Sequence, residues 1–148
     1  MKNSNVQFFY PEVSFVFRDR NKLKSFLIKL FKKEGFILKQ LNVIFCTDKA
    51  LLEMNRRFLK HDYFTDIITF PLSVKDQAIE AELYISIDRI KENARVNSET
   101  FTREIHRVIF HGCLHLSGYN DKSSQQIKRI RDREDHYLRL YFQHSKHL

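Results

Sequence analysis

The order in which strand-like and helix-like segments follow one another is the feature that most restricts how this chain can fold. Stretches rich in β-branched and aromatic residues predict strands at residues 13–17, 36–46, 65–71 and 81–87. Apolar residues at helical spacing predict helices at residues 21–34, from 47 or 48 through 58, at 88–96, from 98 into the 111–115 region, and at 123–142. The order β-α-β-α-β-β-α-α-α favours an α+β fold, an α/β sandwich with one mixed four-stranded sheet and about five helices.

Length and charge narrow the kind of protein further. A chain of 148 residues can bury one real core, so we expect residues 1–148 to form a single domain. No secretory signal or bilayer-length apolar stretch is apparent, which predicts a cytoplasmic protein without a membrane partner. The net charge of +8 favours a polyanion such as a nucleic acid as partner, although such a charge also serves solubility alone.

The cysteines and the terminal histidines carry no obvious chemistry. Cys46 and Cys113 fall in separate predicted elements without a Cys-x-x-Cys pattern, so neither a disulfide framework nor a thiolate zinc site is indicated. We expect both to be buried as small apolar residues. His144 and His147 are expected to lie in a solvated chain end.

The segment from His111 to Asp121 predicts a metal site near the end of a helix. His111 and His115 are four residues apart, so both imidazoles project from one helical face. Gly118 stops the helix and allows the chain to reverse, which brings Asp121 back towards the histidines. Two nitrogens and one carboxylate oxygen would leave a fourth zinc position for water, an arrangement typical of catalytic sites. A histidine pair at this spacing also occurs by chance, so the glycine and the aspartate add essential support.

These residues also carry a resemblance to a known family. The pattern His-Gly-x-Leu-His-Leu-x-Gly-Tyr at residues 111–119 is similar to the signature of the YbeY family, metal-dependent endoribonucleases of bacterial ribosomal RNA maturation. Further segments that resemble the family pattern are NRRF at 55–58, HD at 61–62, TDIITFP at 65–71, ELYIS at 82–86 and IRDRE at 130–134. The resemblance extends over residues 13–138.

Two positions depart from the family pattern. The family usually has three histidine ligands, whereas Asp121 stands at the third position here. A carboxylate is a reasonable ligand there, and its charge predicts more tolerance of harder metals such as manganese. The alternative is that Asp121 only caps the helix predicted to begin at Ser123. At Leu59 the family commonly has an arginine tied to its RNA work, and Lys60, Arg56 or Arg57 would have to supply that charge.

The resemblance implies hydrolysis of single-stranded RNA with one Zn²⁺ per chain, or with Mn²⁺ or another divalent metal in its place. Ribosomal RNA of the small subunit, with ribosomal proteins, is the implied partner, and no DNA partner is expected. Glu134 is a candidate base or partner of a ligating histidine, and Lys60 is a candidate for offsetting phosphate charge. Thr69 and Ser86 are candidates for the walls of the cleft.

The remaining histidines have no predicted role, and two functions other than RNA hydrolysis are consistent with parts of the pattern. His61, His106 and His136 receive no role, and His106 lies off the helical face of His111. A zinc peptidase would carry His-Glu-x-x-His, but Gly112 holds the position of the glutamate. A non-catalytic ribosome-assembly factor, in which a metal only braces the last helices, stays open because of Leu59 and Asp121.

Overall fold

The structure is a computed structural model that describes the backbone of residues 5–146 and the side chains of residues 5–143. Within residues 5–146, four strands and five helices follow one another in the predicted order. They are β1 (Val6–Phe9), α1 (Arg20–Lys33), β2 (Ile37–Cys46), α2 (Asp48–Leu59), β3 (Ile67–Lys75), β4 (Ala78–Ser86), α3 (Ile87–Val96), α4 (Phe101–Leu116) and α5 (Ser124–Lys146).

The strands form one mixed sheet with the spatial order β1-β2-β4-β3. β1 pairs with β2 and β2 with β4 in parallel, while β3 and β4 form an antiparallel pair joined by a turn at Asp76 and Gln77. Both parallel pairs require a crossover, and α1 and α2 lie in the connecting segments of the chain. The predicted α+β fold with one mixed four-stranded sheet and five helices is confirmed.

The two faces of the sheet bury different sets of side chains. Alternate residues of β2 and β4 face a large core shared with α1, α3, α4 and α5, as the two-residue period of a strand requires. The opposite face holds a smaller cluster in which Leu51 of α2 packs with Cys46 and Ile68. Cys46 and Cys113 are both free and buried, as predicted. Burial raises the pKa of the Cys46 thiol to about 11, so it stays protonated at neutral pH.

The prediction of a strand at residues 13–17 is wrong. Those residues are irregular, and the edge strand is Val6–Phe9, which pairs with residues 41–44. The alternation at residues 13–17 instead reflects the packing of half-buried Phe15 and buried Phe17, whose rings lie against Phe45. The alternation of apolar residues therefore correctly indicated that this segment packs against the core, but it did not indicate hydrogen-bonded pairing with another strand.

Four helices, α1, α3, α4 and α5, start one to three residues away from the predicted positions. Asp19 precedes α1, but it has a left-handed backbone and its side chain makes no capping bond. Ser86 belongs to β4 and caps α3 by accepting from the Arg89 amide, so the strand ends one residue early. Thr100 caps α4, which begins at Phe101 and not at the predicted residue 98, and Ser98 has a φ of 54°. His144 and His147 lie outside the described side chains. Within residues 5–146 no helix is long and apolar enough to cross a membrane.

Gly112 sets how closely α4 approaches the sheet. A Cβ atom at this position would lie 2.7 Å from Ile67 Cδ1 and 2.9 Å from Leu83 Cδ2. Separations that short are not tolerated between carbon atoms, so any larger residue would force the Ile67 and Leu83 side chains to shift. Glycine at this position therefore lets α4, which carries His111, pack closely on β3 and β4.

Candidate metal centre

The last two turns of α4 and the loop that follows it place the three predicted metal ligands. His111 and His115 stand one turn apart, and their ring centroids are 4.5 Å apart. The helix ends at Leu116, and Gly118 has a φ of 103°, the left-handed conformation that reverses the chain. Asp121 is thereby brought beside both imidazoles.

Three potential ligand atoms converge in this group. His111 Nε2 and His115 Nε2 are 3.0 Å apart, and Asp121 Oδ2 lies 3.5 Å from the first and 3.2 Å from the second. Among the described residues, His111, His115 and Asp121 form a His/Cys/Asp/Glu group that could hold a metal ion, with all ligand atoms within 4.8 Å.

The outer nitrogens of both rings are already used. His111 Nδ1 donates to Glu134 Oε2 at 2.5 Å, and His115 Nδ1 donates to the Tyr119 carbonyl at 2.9 Å. Both acceptors lack a hydrogen, so each neutral ring carries its proton on Nδ1. Two Nε2 lone pairs and a carboxylate oxygen then face one point, and a cation there relieves their mutual repulsion.

The spacing of these atoms fits a small divalent metal. Ligand bonds of about 2.0–2.1 Å in a tetrahedral zinc site place the ligand atoms roughly 3.3 Å from one another. The observed separations of 3.0, 3.2 and 3.5 Å bracket that value. Imidazole nitrogen with carboxylate oxygen is a donor set suited to zinc and also acceptable to manganese.

Glu134 connects the histidine pair to a buried ion-pair network. The carboxylate is 2% exposed and accepts from His111 through one oxygen and from Arg107 Nη1, at 2.9 Å, through the other. Arg107 also donates to Asp135 at 2.6 Å. Arg107 offsets part of the buried acidic charge, and Glu134 holds the His111 ring in position.

The pKa values of His111 and Asp66 are both raised, for different reasons. Burial alone would lower the pKa of His111, but the hydrogen bond and charge of Glu134, with Asp66 and Asp121, outweigh it and raise the pKa. Burial raises the pKa of Asp66, and the charge of His111 only partly offsets this. The centre is therefore an acidic pocket that attracts a cation.

A cavity of about 310 Å³ opens onto the three potential ligands. The predicted Thr69 lines it, together with Leu59, the position at which an arginine is common in the family. Lys60 follows Leu59 as the exposed C-cap of α2, and its neighbour His61 lines the cavity. Ser86 is instead fully buried, donates to Asp48 Oδ1 and caps α3.

Several residues of this region received no role from the sequence. Asp66, Tyr63 and His61 line the cavity, and Arg107 anchors Glu134. Asp66 lies in the matched segment TDIITFP, which was a usable signal, whereas Arg107 has no local pattern that marks it. His106 lies away from the pair as predicted, 5% exposed among aromatic rings.

Comparisons with known proteins agree with this geometry. The family described as Endoribonuclease YbeY matches residues 11–141. The Endoribonuclease YbeY of Cytophaga hutchinsonii is 44% identical over 140 residues, covering 95% of this chain and 98% of the relative. That of Flavobacterium psychrophilum is 39% identical, covering 90% and 94%. The solution structure of a Thermotoga maritima protein is similar with a TM-score of 0.65 and 27% identity, covering 95% and 91%. The resemblance noted in the sequence is confirmed, and the chain belongs to the Endoribonuclease YbeY family.

Proposed function

We propose that this protein is a cytoplasmic, metal-dependent endoribonuclease that hydrolyses phosphodiesters of single-stranded RNA in ribosomal RNA maturation and ribosome quality control. Residues 1–148 act as one domain in this proposal. The observation that carries it is the convergence of His111, His115 and Asp121 in a chain of an endoribonuclease family.

The three residues are proposed to hold one Zn²⁺, with Mn²⁺ or another divalent metal as the alternative. A divalent ion held there would supply Lewis acidity to the phosphodiester. Glu134 keeps the proton of His111 on Nδ1, and the Tyr119 carbonyl does the same for His115. Both residues thereby keep the Nε2 lone pairs directed at the centre.

The basic groups beside the cavity are proposed to stabilise charge that develops on the phosphate. Lys60 is the first candidate because it stands between two residues that line the cavity, Leu59 and His61. Leu59 itself contributes no charge, so this chain depends on its neighbours for that role. The net charge of +8 steers polyanionic RNA towards the protein. The proposed substrate is small-subunit ribosomal RNA, with ribosomal proteins as further partners.

A non-catalytic ribosome-assembly factor is the second candidate function. The observation that favours it is the 39% exposed Leu59 at the cavity, where the family commonly has an arginine. In that case the metal would brace α4 against the following loop and α5 without cleaving RNA. Peptide hydrolysis is disfavoured, because Gly112 faces the sheet at the position where a zinc peptidase has its glutamate.

Elemental analysis and RNA cleavage, measured on the same preparations, test the proposal. The protein is purified without chelators or a His tag, as wild type, His115→Ala, Lys60→Ala and Lys39→Ala. We expect about one metal per chain and cleavage of single-stranded RNA in wild type and in Lys39→Ala, whose lysine is exposed on β2. His115→Ala should lose both, whereas Lys60→Ala should lose cleavage and keep the metal.

Each contrary result has a distinct meaning. Wild type that holds metal but cleaves no RNA supports the assembly factor. Cleavage that survives in His115→Ala contradicts a metal-dependent reaction at this centre. Wild type without metal, even after incubation with zinc or manganese, contradicts both functions.

A further inference from the structure

A pair of aromatic rings stands at the edge of the cavity without a role in the reaction proposed above. The rings of His61 and Tyr63 are stacked, with centroids 5.1 Å apart and an angle of 18° between their planes. The Tyr63 hydroxyl lies 2.9 Å from His61 Nδ1, which ties the two side chains together. Tyr63 is nevertheless 55% exposed, so ring surface remains open to solvent.

The loop that carries this pair is held by a buried polar side chain. Asn55 is 2% exposed and donates through Nδ2 to the Tyr63 carbonyl at 2.8 Å. The His61 amide donates to the Asn55 carbonyl at 3.0 Å. These two bonds fix the backbone on both sides of the pair, so the exposed rings are presented in a defined place. Exposed aromatic rings that are held in this way are typical of recognition surfaces.

The position of the pair relates it to the metal centre. His61 and Tyr63 line the same cavity of about 310 Å³ as His111, His115 and Asp121. This volume is at the lower end of the range for small-molecule pockets, about 300–1,000 Å³, which is of the size that one nucleotide occupies. A phosphate at the metal centre and a base on the rings would belong to one short stretch of the same strand.

We propose that His61 and Tyr63 form a stacking platform for one unpaired base of the RNA that lies across the metal centre. This inference rests on the proposed function and adds how the substrate is held. A π-face is common to all four bases, so stacking tolerates sequence variation, and only an unpaired base can leave its neighbours to stack on protein. The platform therefore selects single-stranded RNA and sets its register at the centre.

Neighbouring charges support a polyanion on this side of the cavity. Arg56, Arg57 and Lys60 all lie within the six residues before His61, and all three are exposed. Arg56 is paired with Asp62, so Lys60, which stands between the cavity residues Leu59 and His61, is the nearest candidate for a contact to phosphate. Basic groups that follow the backbone beside a stacking ring are the usual composition of single-strand binding sites.

The test compares Tyr63→Ala, Tyr63→Phe and Phe64→Ala, using fluorescence anisotropy with a labelled single-stranded RNA and with the same RNA annealed as a duplex. Phe64 is the matched control, because it is 51% exposed next in sequence but contacts Arg89, with the guanidinium 5.0 Å from its ring centre. We expect Tyr63→Ala to raise the Kd for single-stranded RNA roughly 5- to 150-fold, as loss of one stacked base does. Tyr63→Phe, Phe64→Ala and all duplex measurements should stay within about twofold of wild type.

Cleavage of the same RNA and metal content are measured in parallel, so that this inference and the proposed function fail in different ways. If stacking stabilises the bound ground state and the transition state equally, its loss in Tyr63→Ala should raise KM and leave kcat and the metal content unchanged. A Tyr63→Ala protein that binds RNA as wild type does overturns the platform, even if RNA is cleaved. Loss of binding in Tyr63→Ala without cleavage by any variant supports the platform and contradicts the enzyme.

Discussion

The two ends of helix α4 place histidines in opposite surroundings. Near its start, His106 is 5% exposed and lies among aromatic rings, with the rings of Tyr141 and Phe142 centred 4.7 and 5.1 Å away. Its Nδ1 lies 2.6 Å from the Thr102 carbonyl, and no partner for Nε2 is found among the described residues. Burial lowers the pKa of His106 to about 4, so it is a neutral core residue.

Near the end of the same helix, burial of His111 is outweighed by carboxylates. Glu134, Asp66 and Asp121 surround this ring and raise its pKa, the opposite of the shift at His106. The two residues share a helix and a residue type, so the difference comes from α5 and the loop after α4, which supply carboxylates at one end and aromatic rings at the other. A histidine therefore becomes a candidate ligand through its neighbours and not through its place on the helix.

Removal of a carboxylate ligand should have the largest effect on this contrast. Asp121→Ala leaves only the two nitrogens, and we expect the Kd for zinc, measured by competition with a chelator, to rise more than about 100-fold. Asp121→His restores three ligands as three nitrogens, and it should recover zinc binding while weakening binding of manganese.

Asp132→Ala is the matched control for Asp121→Ala, because Asp132 is an exposed carboxylate on α5 that pairs with Lys128. Its Kd for zinc should equal that of wild type. Wild-type zinc affinity in Asp121→Ala would show that Asp121 is not a ligand. The contrast between the surroundings of the histidines at the two ends of α4 would then be smaller than the structure indicates.

Replacement of Glu134 should weaken the metal centre by a smaller factor. Glu134→Gln keeps the shape of the side chain but removes the charge beside His111 Nδ1, and loss of such a partner typically costs about 10–100-fold in metal affinity. Asp135→Asn provides the control, since Asp135 bonds the same Arg107 without touching His111. Equal losses of zinc affinity in both variants would assign the effect to the ion-pair network as a whole.

At the other end of α4, His106 should make the fold sensitive to acid. The folded pKa near 4 lies below the ordinary value of 6.5, so the unfolded chain binds the extra proton first. Stability is therefore full above pH 6.5 and falls as the pH drops towards 4, by about 2 kcal/mol at pH 5. His106→Phe should lose most of this slope when urea unfolding of metal-free protein is followed at pH 8 and pH 5.

The charged groups that face His106 are Lys22, which lowers its pKa further, and Asp19, which raises it. Both belong to the α1 region and remain in the variant, so the comparison of slopes isolates the imidazole. An unchanged slope in His106→Phe would mean that His106 is already accessible to protons in the folded protein.

The sequence predicted the element order and the ligand group because both depend on local spacing. The four-residue spacing of His111 and His115 places both on one helical face, and Gly118 allows the reversal that returns Asp121. The strand error at residues 13–17 arose because alternation reports which side chains are buried, while pairing with β2 depends on residues 41–44, far along the chain.

The environment of the site was not predictable in the same way. Glu134 was predicted as a candidate base or as a partner of a ligating histidine, yet its link to Arg107 spans 27 positions and has no local signature. The place of Tyr63 depends on the fold of the loop around buried Asn55. The position of His106 in the sequence also does not show whether aromatic rings or carboxylates surround it, because the neighbouring side chains come from distant segments of the chain.

The smallest effect should come from the cap of α4, and it tests whether the two ends act independently. Thr100 accepts from the Arg103 amide at 3.0 Å, so Thr100→Ala should lower the free energy of unfolding by about 1 kcal/mol. Hydrogen exchange should quicken in the first turn of α4 without change at His111, because Gly112 and Glu134 hold the far end to the sheet and to α5. A variant that also loses zinc affinity would show that fraying at the start of the helix reaches the metal ligands and that the ends are coupled.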